Sequence, residues 1–292
     1  MIRFKLILTA IFWGGTFIAG RVVAREMEPF SAAFLRFAIA SLFLLGIAWK
    51  IEGKFPGISW QSFFLLFLLG MSGIAAYNFF FFSGLKTIPA GRAAVIIANN
   101  PILISMLSVM IFKEKITFTK AVGILCSVSG AVIAISRGNL QDLSGQLGIG
   151  EFYIFMCVLS WVTYSLLGKM VMGKVTPLIS VTYSSLIGTI LLIIPSIQEG
   201  LPEKLFSFSG ESWLGVIYLG FFGTVLGFLW YYQGIKSIGP MKASIFINFV
   251  PISALFLSYF LLREPLNITL FIGTMMVVGG VYLTNRTQWS RK

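Results

Sequence analysis

GLKTIPAGRAAVIIANNPILISMLSVMIFKE, residues 84–114, recurs in altered form as GIKSIGPMKASIFINFVPISALFLSYFLLRE, residues 234–264. Ten of the 31 aligned positions are identical, at a constant offset of 150 from Gly84/Gly234 through Lys86/Lys236 and Pro101/Pro251 to Glu114/Glu264. Basic residues also face each other at Arg92/Lys242 and Lys113/Arg263. Self-similarity of this kind marks an internal duplication. Each copy is an apolar run with a proline inside it and charges at either end, so the chain reads as two related units.

The sequence around these copies is equally apolar. Of 292 residues 57% are apolar and 11% charged, with a mean hydropathy of +0.91, where a soluble domain carries about 25% charged residues. Gly, Pro and charges divide the chain into ten apolar runs, near 4–23, 30–49, 60–83, 90–112, 118–136, 151–171, 177–197, 212–235, 240–262 and 268–286. Each approaches the roughly 20 residues with which a helix crosses hydrocarbon, and barrel strands are about half as long. The expected fold is an all-α, multi-pass integral membrane protein with ten transmembrane helices. Its first run follows a basic start, as a signal peptide does. Yet Trp13 matches Trp161 and Pro29 matches Pro177, both 148 apart, which favours a retained helix. The expected domains are a five-helix unit at 1–136, a polar linker at 137–150, a second five-helix unit at 151–286 and a cytoplasmic tail at 287–292.

Orientation follows from the basic residues of alternate loops. With the N-terminus inside, fourteen Lys and Arg fall on the cytoplasmic side and seven on the other, so both termini are expected in the cytoplasm. Five helices per unit make the second unit enter from the opposite side. The repeats are therefore inverted, an arrangement that secondary transporters use around a midplane site.

Composition also excludes classes. The net charge of +12 is spread singly over short loops, not gathered with aromatics on a polar face, which argues against nucleic acid. Histidine is absent, and Cys126 and Cys157 lie in apolar runs, so no metal site and no cofactor are expected. Neither a phosphate-binding glycine loop nor a G-x-S-x-G elbow is present, against ATP drive and against an embedded enzyme.

With these features the chain resembles the EamA family of the drug/metabolite transporter superfamily. The resemblance rests on Phe12-Trp13-Gly14, on Pro29 with Leu35-Arg36, on the doubled run, proline and Lys/Arg-Glu, and on the glycine pairs Gly123/Gly130 and Gly273/Gly280. It implies ten helices in two inverted repeats, cytoplasmic termini, and movement of small metabolites, often outward. In the second unit Trp161 is followed by Val162-Thr163 where Trp13 is followed by two glycines, so the units are not interchangeable.

The candidate substrate-binding residues are Trp13, Arg36, Tyr77, Asn99, Asn100, Trp161, Tyr164, Trp230 and Asn248. At 1.5 Å per residue Asn99 and Asn248 come about 12 to 13 Å into their runs, beside the prolines. There they either bond neighbouring helices or line a polar path. Trp13 and Trp161 lie at similar depth, with Thr16 and Tyr164 nearby. Tyr77, Asn78, Trp230, Tyr231 and Tyr232 lie closer to the run ends, where an interfacial belt accounts for most of them. Arg36, about 9 Å inside its run, is either a snorkelling anchor or a cavity cation that meets an anionic group.

Pro101 and Pro251 are candidate kinks, and Glu114 and Glu264 candidate gating ion pairs at the C-terminal ends of their helices, where the dipole disfavours an anion. Small residues along the third, fifth and eighth runs favour close helix packing. A homodimer through helices 5 and 10 is the alternative to a monomer. No acidic residue falls at mid-membrane, so no proton relay is visible. The expected function is export of a small metabolite, such as an amino acid, across the cytoplasmic (inner) membrane, by a facilitator, exchanger or weakly coupled exporter. A non-transporting sensor or partner subunit and a membrane-embedded enzyme are the alternatives.

Overall fold

The computed structural model describes residues 1–53, 57–112, 118–136, 148–265 and 267–286. Among the described residues there is no strand, and helices occupy the apolar runs. The first half holds α1 (Ile2–Val23), α2 (Pro29–Glu52), α3 (Trp60–Thr87), α4 (Ala90–Ile97 and Asn100–Phe112, one broken helix) and α5 (Phe118–Ser136). The second holds α6 (Ile149–Val171), α7 (Pro177–Gln198), α8 (Gly210–Ile238), α9 (residues 240–262) and α10 (Ile268–Arg286).

Local chemistry sets the helix starts. Pro29 and Pro177 stand in the first turns of α2 and α7, where the missing N–H has no intrahelical partner to lose. The hydroxyls of Ser59, Thr176 and Ser209 accept from the backbone N–H groups of Ser62, Ile179 and Ser212 at 3.3, 3.3 and 3.2 Å, as N-caps do.

Seven helices, α1 to α3 and α6 to α9, are long and apolar enough to cross a membrane. Shorter apolar stretches lie in α4, α5 and α10. Large apolar side chains cover the outside of the bundle: Leu125 and Ile194 are 68% exposed and Phe260 61%. In water such a surface would aggregate; in lipid it is the expected contact face.

The helices pack as α1 on α9, α2 on α7, α3 on α6 and α5 on α10. The two ends of the bundle are tied differently. At the amino-terminal end Lys5 donates to Gln233 (2.9 Å), Lys174 to Gln61 (3.3 Å) and the Thr176 hydroxyl to Glu52 (2.8 Å). At the far end carboxylates cap helix N-termini across the two halves. Glu199 accepts from the N–H groups of Phe30 and Ser31 (3.1 and 2.7 Å) at the start of α2, and Glu26 from that of Ser209 (2.9 Å) at the start of α8. The Ser209 N–H holds the Glu26 carboxyl below the usual carboxylate range. This tie is therefore kept at neutral pH and lost only as pH falls through that lowered value.

Among the described residues four helices depart from α geometry. Pro101 and Pro251 have no N–H to give to Ile97 and Ile247 one turn earlier. α4 breaks at Ala98–Asn99, and α9 tightens into a 3-10 stretch at Ile245–Asn248. α3 and α8 instead widen into π turns at Gly70–Ala76 and Leu219–Leu226.

α5 and α10 meet backbone to backbone. A Cβ on Gly130 would lie 2.7 Å from the Gly273 carbonyl oxygen, and one on Gly280 would lie 2.5 Å from that of Gly123. Each contact maps onto the other when 150 is added or subtracted. These small faces are thus used for packing within one chain. Gly280→Val is expected to destabilise the fold by about 1 to 3 kcal/mol, as overpacking does. An unchanged unfolding midpoint in detergent would contradict the contact.

Candidate functional site

The departures from α geometry converge on one cavity at the middle of the bundle. It is lined by Trp13, Thr16 and Phe17 of α1, Arg36 of α2, Tyr77 and Phe81 of α3 and Ile97 and Asn100 of α4. Trp161 of α6, Phe228 of α8 and Ile247 and Val250 of α9 complete it. Ile97/Ile247 and Asn100/Val250 are 150 apart and Trp13/Trp161 are 148 apart, so the cavity sits where the two units meet. Ile97 and Ile247 are also the residues four positions ahead of the prolines, which have no N–H to give to their carbonyls.

The walls are mostly aromatic. Trp13 and Trp161 meet edge to face at 5.1 Å, and Phe228 lies 5.1 Å from Trp161, Tyr77 5.4 Å from it. The Trp13 indole N–H donates to the Gly223 carbonyl (2.9 Å), inside the π turn of α8, which fixes that ring. The space between the walls is narrow: about 30 Å³ is open to the centres of water-sized molecules, room for roughly two waters. Any larger solute requires the walls to move.

Two polar groups face this space with capacity to spare. Asn100 is 1% exposed, and its Oδ1 accepts no hydrogen bond from the described residues. Arg36 is 3% exposed; its Nε donates to the Thr224 hydroxyl and its Nη1 to Asn78 Oδ1, both at 2.9 Å. No carboxylate among the described residues pairs with it.

Of the residues singled out from sequence, Trp13, Arg36, Tyr77, Asn100 and Trp161 line the cavity. Tyr164 stands behind the wall, 5.3 Å from Trp161 and 5.0 Å from Tyr232. Trp230 stacks on Phe12 (5.9 Å) and does not line it. Asn99 turns toward α5: its amide donates to the carbonyls of Val95 and Ile96 (both 3.2 Å), and its Oδ1 accepts from Ser127 (3.1 Å). The Ser127 bond is interhelical, and the other two lie within α4. Asn248 is 3% exposed and outside the lining, with an Oδ1 that has no partner among the described residues.

Four of the five residues read as an interfacial belt lie inside the bundle, Tyr77 at the cavity wall among them. Asn78 and Tyr232 are 0% exposed and Tyr231 is 1% exposed, all packed inside the bundle. Sequence reasoning also missed Thr224 and Phe228; the one available signal was their position next to the glycines of the eighth run.

At the far end Glu264 resolves the question of its unfavourable place after α9. Arg263 adopts a left-handed conformation (φ 55°), which costs a non-glycine residue about 1 to 2 kcal/mol. The turn aims the Glu264 carboxylate at the start of α4, where it accepts from Ala90 N–H (3.1 Å) and Gly91 N–H (3.4 Å). The anion that the dipole of α9 disfavours thereby meets the favourable end of α4's dipole. Beside it Arg92 pairs with Glu151 (3.0 Å), and a separate recess of about 370 Å³ opens between α4, α9 and α10. Glu114 lies outside the described residues. Pro251 is buried in α9, and Pro101 falls in the second segment of α4. Among the described residues no group of His, Cys, Asp and Glu stands close enough to hold a metal.

A helical bundle with an apolar outer surface around a narrow polar and aromatic cavity defines a multi-pass membrane protein. The chain belongs to the EamA-like transporter family, whose sequence model matches residues 3–136 and 148–286. It is 32% identical over 273 residues to the uncharacterized transporter YyaM of Bacillus subtilis, covering 93% of this chain and 89% of that protein. It is 30% identical over 283 residues to an uncharacterized transporter of Archaeoglobus fulgidus, covering 96% and 97%. A solved crystal structure of another protein has the same fold, with a TM-score of 0.70 at 19% identity over 100% of this chain and 98% of that one. The protein is therefore a membrane transporter. Glu264→Ala is expected to lower the thermal unfolding midpoint in detergent by the equivalent of about 1 kcal/mol, as loss of a helix N-cap does. An unaltered midpoint would rule out the cap on α4.

Proposed function

We propose that the protein is a secondary transporter that exports a small metabolite, such as an amino acid or a related compound, across the cytoplasmic (inner) membrane by alternating access. In this reading ten helices span the bilayer with both termini in the cytoplasm. Two inverted five-helix units, 1–136 and 151–286, are joined by a linker at 137–150, and residues 287–292 form a cytoplasmic tail. The single observation that carries the reading is the central cavity, lined by matched residues of both units and supplied with an unpartnered Asn100 oxygen and an uncompensated Arg36. Lys5, Lys50, Lys174 and Lys236 at the amino-terminal end support the orientation.

Asn100, Arg36, Trp13, Trp161 and Tyr77 contact the solute. The broken segments ahead of Pro101 and Pro251 are where α4 and α9 bend as the site exchanges faces. Glu264 closes the far end in this conformation, and Glu114, its repeat counterpart, serves the amino-terminal end. Transport needs no cofactor, and no described carboxylate lines the cavity to relay a proton. The working unit is one chain or a homodimer.

The test is uptake of radiolabelled amino acids into liposomes containing the purified protein. Flux above that of empty liposomes is expected for at least one of them, with little change on imposing a pH gradient, and Asn100→Ala is expected to lower it about tenfold. Absence of flux for the whole set would favour a sensor or partner role, and steep dependence on the pH gradient would contradict the uncoupled mechanism.

A further inference from the structure

The way Arg36 is held narrows the class of solute, given the transport reading above. A buried guanidinium without a carboxylate partner costs several kcal/mol to desolvate, and an intramembrane charge of this kind points to function. Here it is not left to snorkel. Its Nε and Nη1 are each fixed by a neutral oxygen, Thr224 Oγ1 and Asn78 Oδ1, and its carbon lies 5.3 Å from the Phe37 ring and 6.0 Å from the Phe228 ring.

Both oxygens are aimed by the π turns. Asn78 turns its amide donors back to the carbonyls of Ile74 (2.8 Å) and Gly73 (3.5 Å), within Gly70–Ala76. The Thr224 hydroxyl donates to the Leu219 carbonyl (3.0 Å), within Leu219–Leu226. A π turn shifts the backbone ladder and opens carbonyls to side-chain donors. With its donor capacity spent on the backbone, each side chain presents an acceptor to the cation. Guanidinium offers five N–H groups, and among the described residues Nη2 has no hydrogen-bond partner.

The cradle is built once. At the repeat-related positions Arg36 is replaced by Ser184, Asn78 by Phe228 and Thr224 by Ile74, so where the cation is missing both of its acceptors are missing too. The three residues behave as one device within a duplicated frame.

We propose that Arg36, oriented by Asn78 and Thr224, binds the carboxylate of the transported solute, so that the cavity takes zwitterionic and monoanionic solutes and rejects cations. Asn78 and Thr224 are positioning residues, and the aromatic walls receive the remainder of the solute.

The experiment pairs each amino acid and each N-acetyl amino acid with its methyl ester, using the purified full-length protein. Binding is read in detergent by quenching of tryptophan fluorescence and flux in liposomes. Binding and flux are expected for carboxylates, with the esters at least tenfold weaker. Esters or amines bound as tightly as carboxylates, or no carboxylate bound at all, would overturn the inference. Carboxylate binding without flux would leave it standing and refute the transport reading instead. Thr224→Val is expected to raise the apparent KM for the carboxylates about tenfold with little change in maximal rate, and Thr224→Ser, which keeps the oxygen, to restore it. Equal loss in both variants, tracking a fall in unfolding temperature, would reduce Thr224 to a packing role and contradict the cradle.

Discussion

A backbone carbonyl inside hydrocarbon has no water to turn to, so every break in a helical ladder must be repaired by protein or gathered around a polar space. Among the described residues the ladders break in four helices, and the rest of the structure follows from where those breaks go. Ile97 and Ile247, four residues ahead of Pro101 and Pro251, come to the cavity wall. The carbonyl of Gly223 is taken by the Trp13 indole and that of Ile74 by Asn78. Repairing the backbone thus fixes an aromatic wall and an acceptor for Arg36 in the same place.

Duplication supplies the frame, and its imperfections supply the chemistry. The reciprocal glycine contacts of α5 with α10, the π turns of α3 and α8 and the paired prolines repeat at an offset of 150. The polar groups do not: Asn100 has Val250 as its counterpart, and Arg36 has only Ser184. A solute that binds here meets a symmetric cage with an asymmetric charge. With roughly two waters' worth of space in this conformation, admission of such a solute depends on α4 and α9 bending at their broken segments. The Glu264 cap and the Arg92–Glu151 pair hold the start of α4.

Much of this architecture is legible in the sequence because membrane helices announce themselves by length and the repeat by identity. The helices fall on the apolar runs, and Trp13, Arg36 and Trp161 stand out by depth and pairing. Rotation was not legible. An apolar helix has no polar face to reveal which side looks inward, so adjacent Asn99 and Asn100 could not be told apart. The break at Ala98–Asn99 sends one toward α5 and the other to the cavity. The burial of Asn78, Tyr231 and Tyr232 inside the bundle was likewise not legible, because position along an apolar run does not say which side faces neighbouring helices. No local pattern announces that Glu264 caps a helix 174 residues earlier in the chain.

The central claim is that one cavity between the two units is reached in turn from both sides of the membrane. Its most direct test is a single cysteine at position 250, in a chain lacking Cys126 and Cys157, probed with a membrane-impermeant maleimide in right-side-out and everted vesicles. Modification from both sides, slowed by a transported amino acid, is the result this account predicts. Modification from one side only, unaffected by any transported solute, would contradict it.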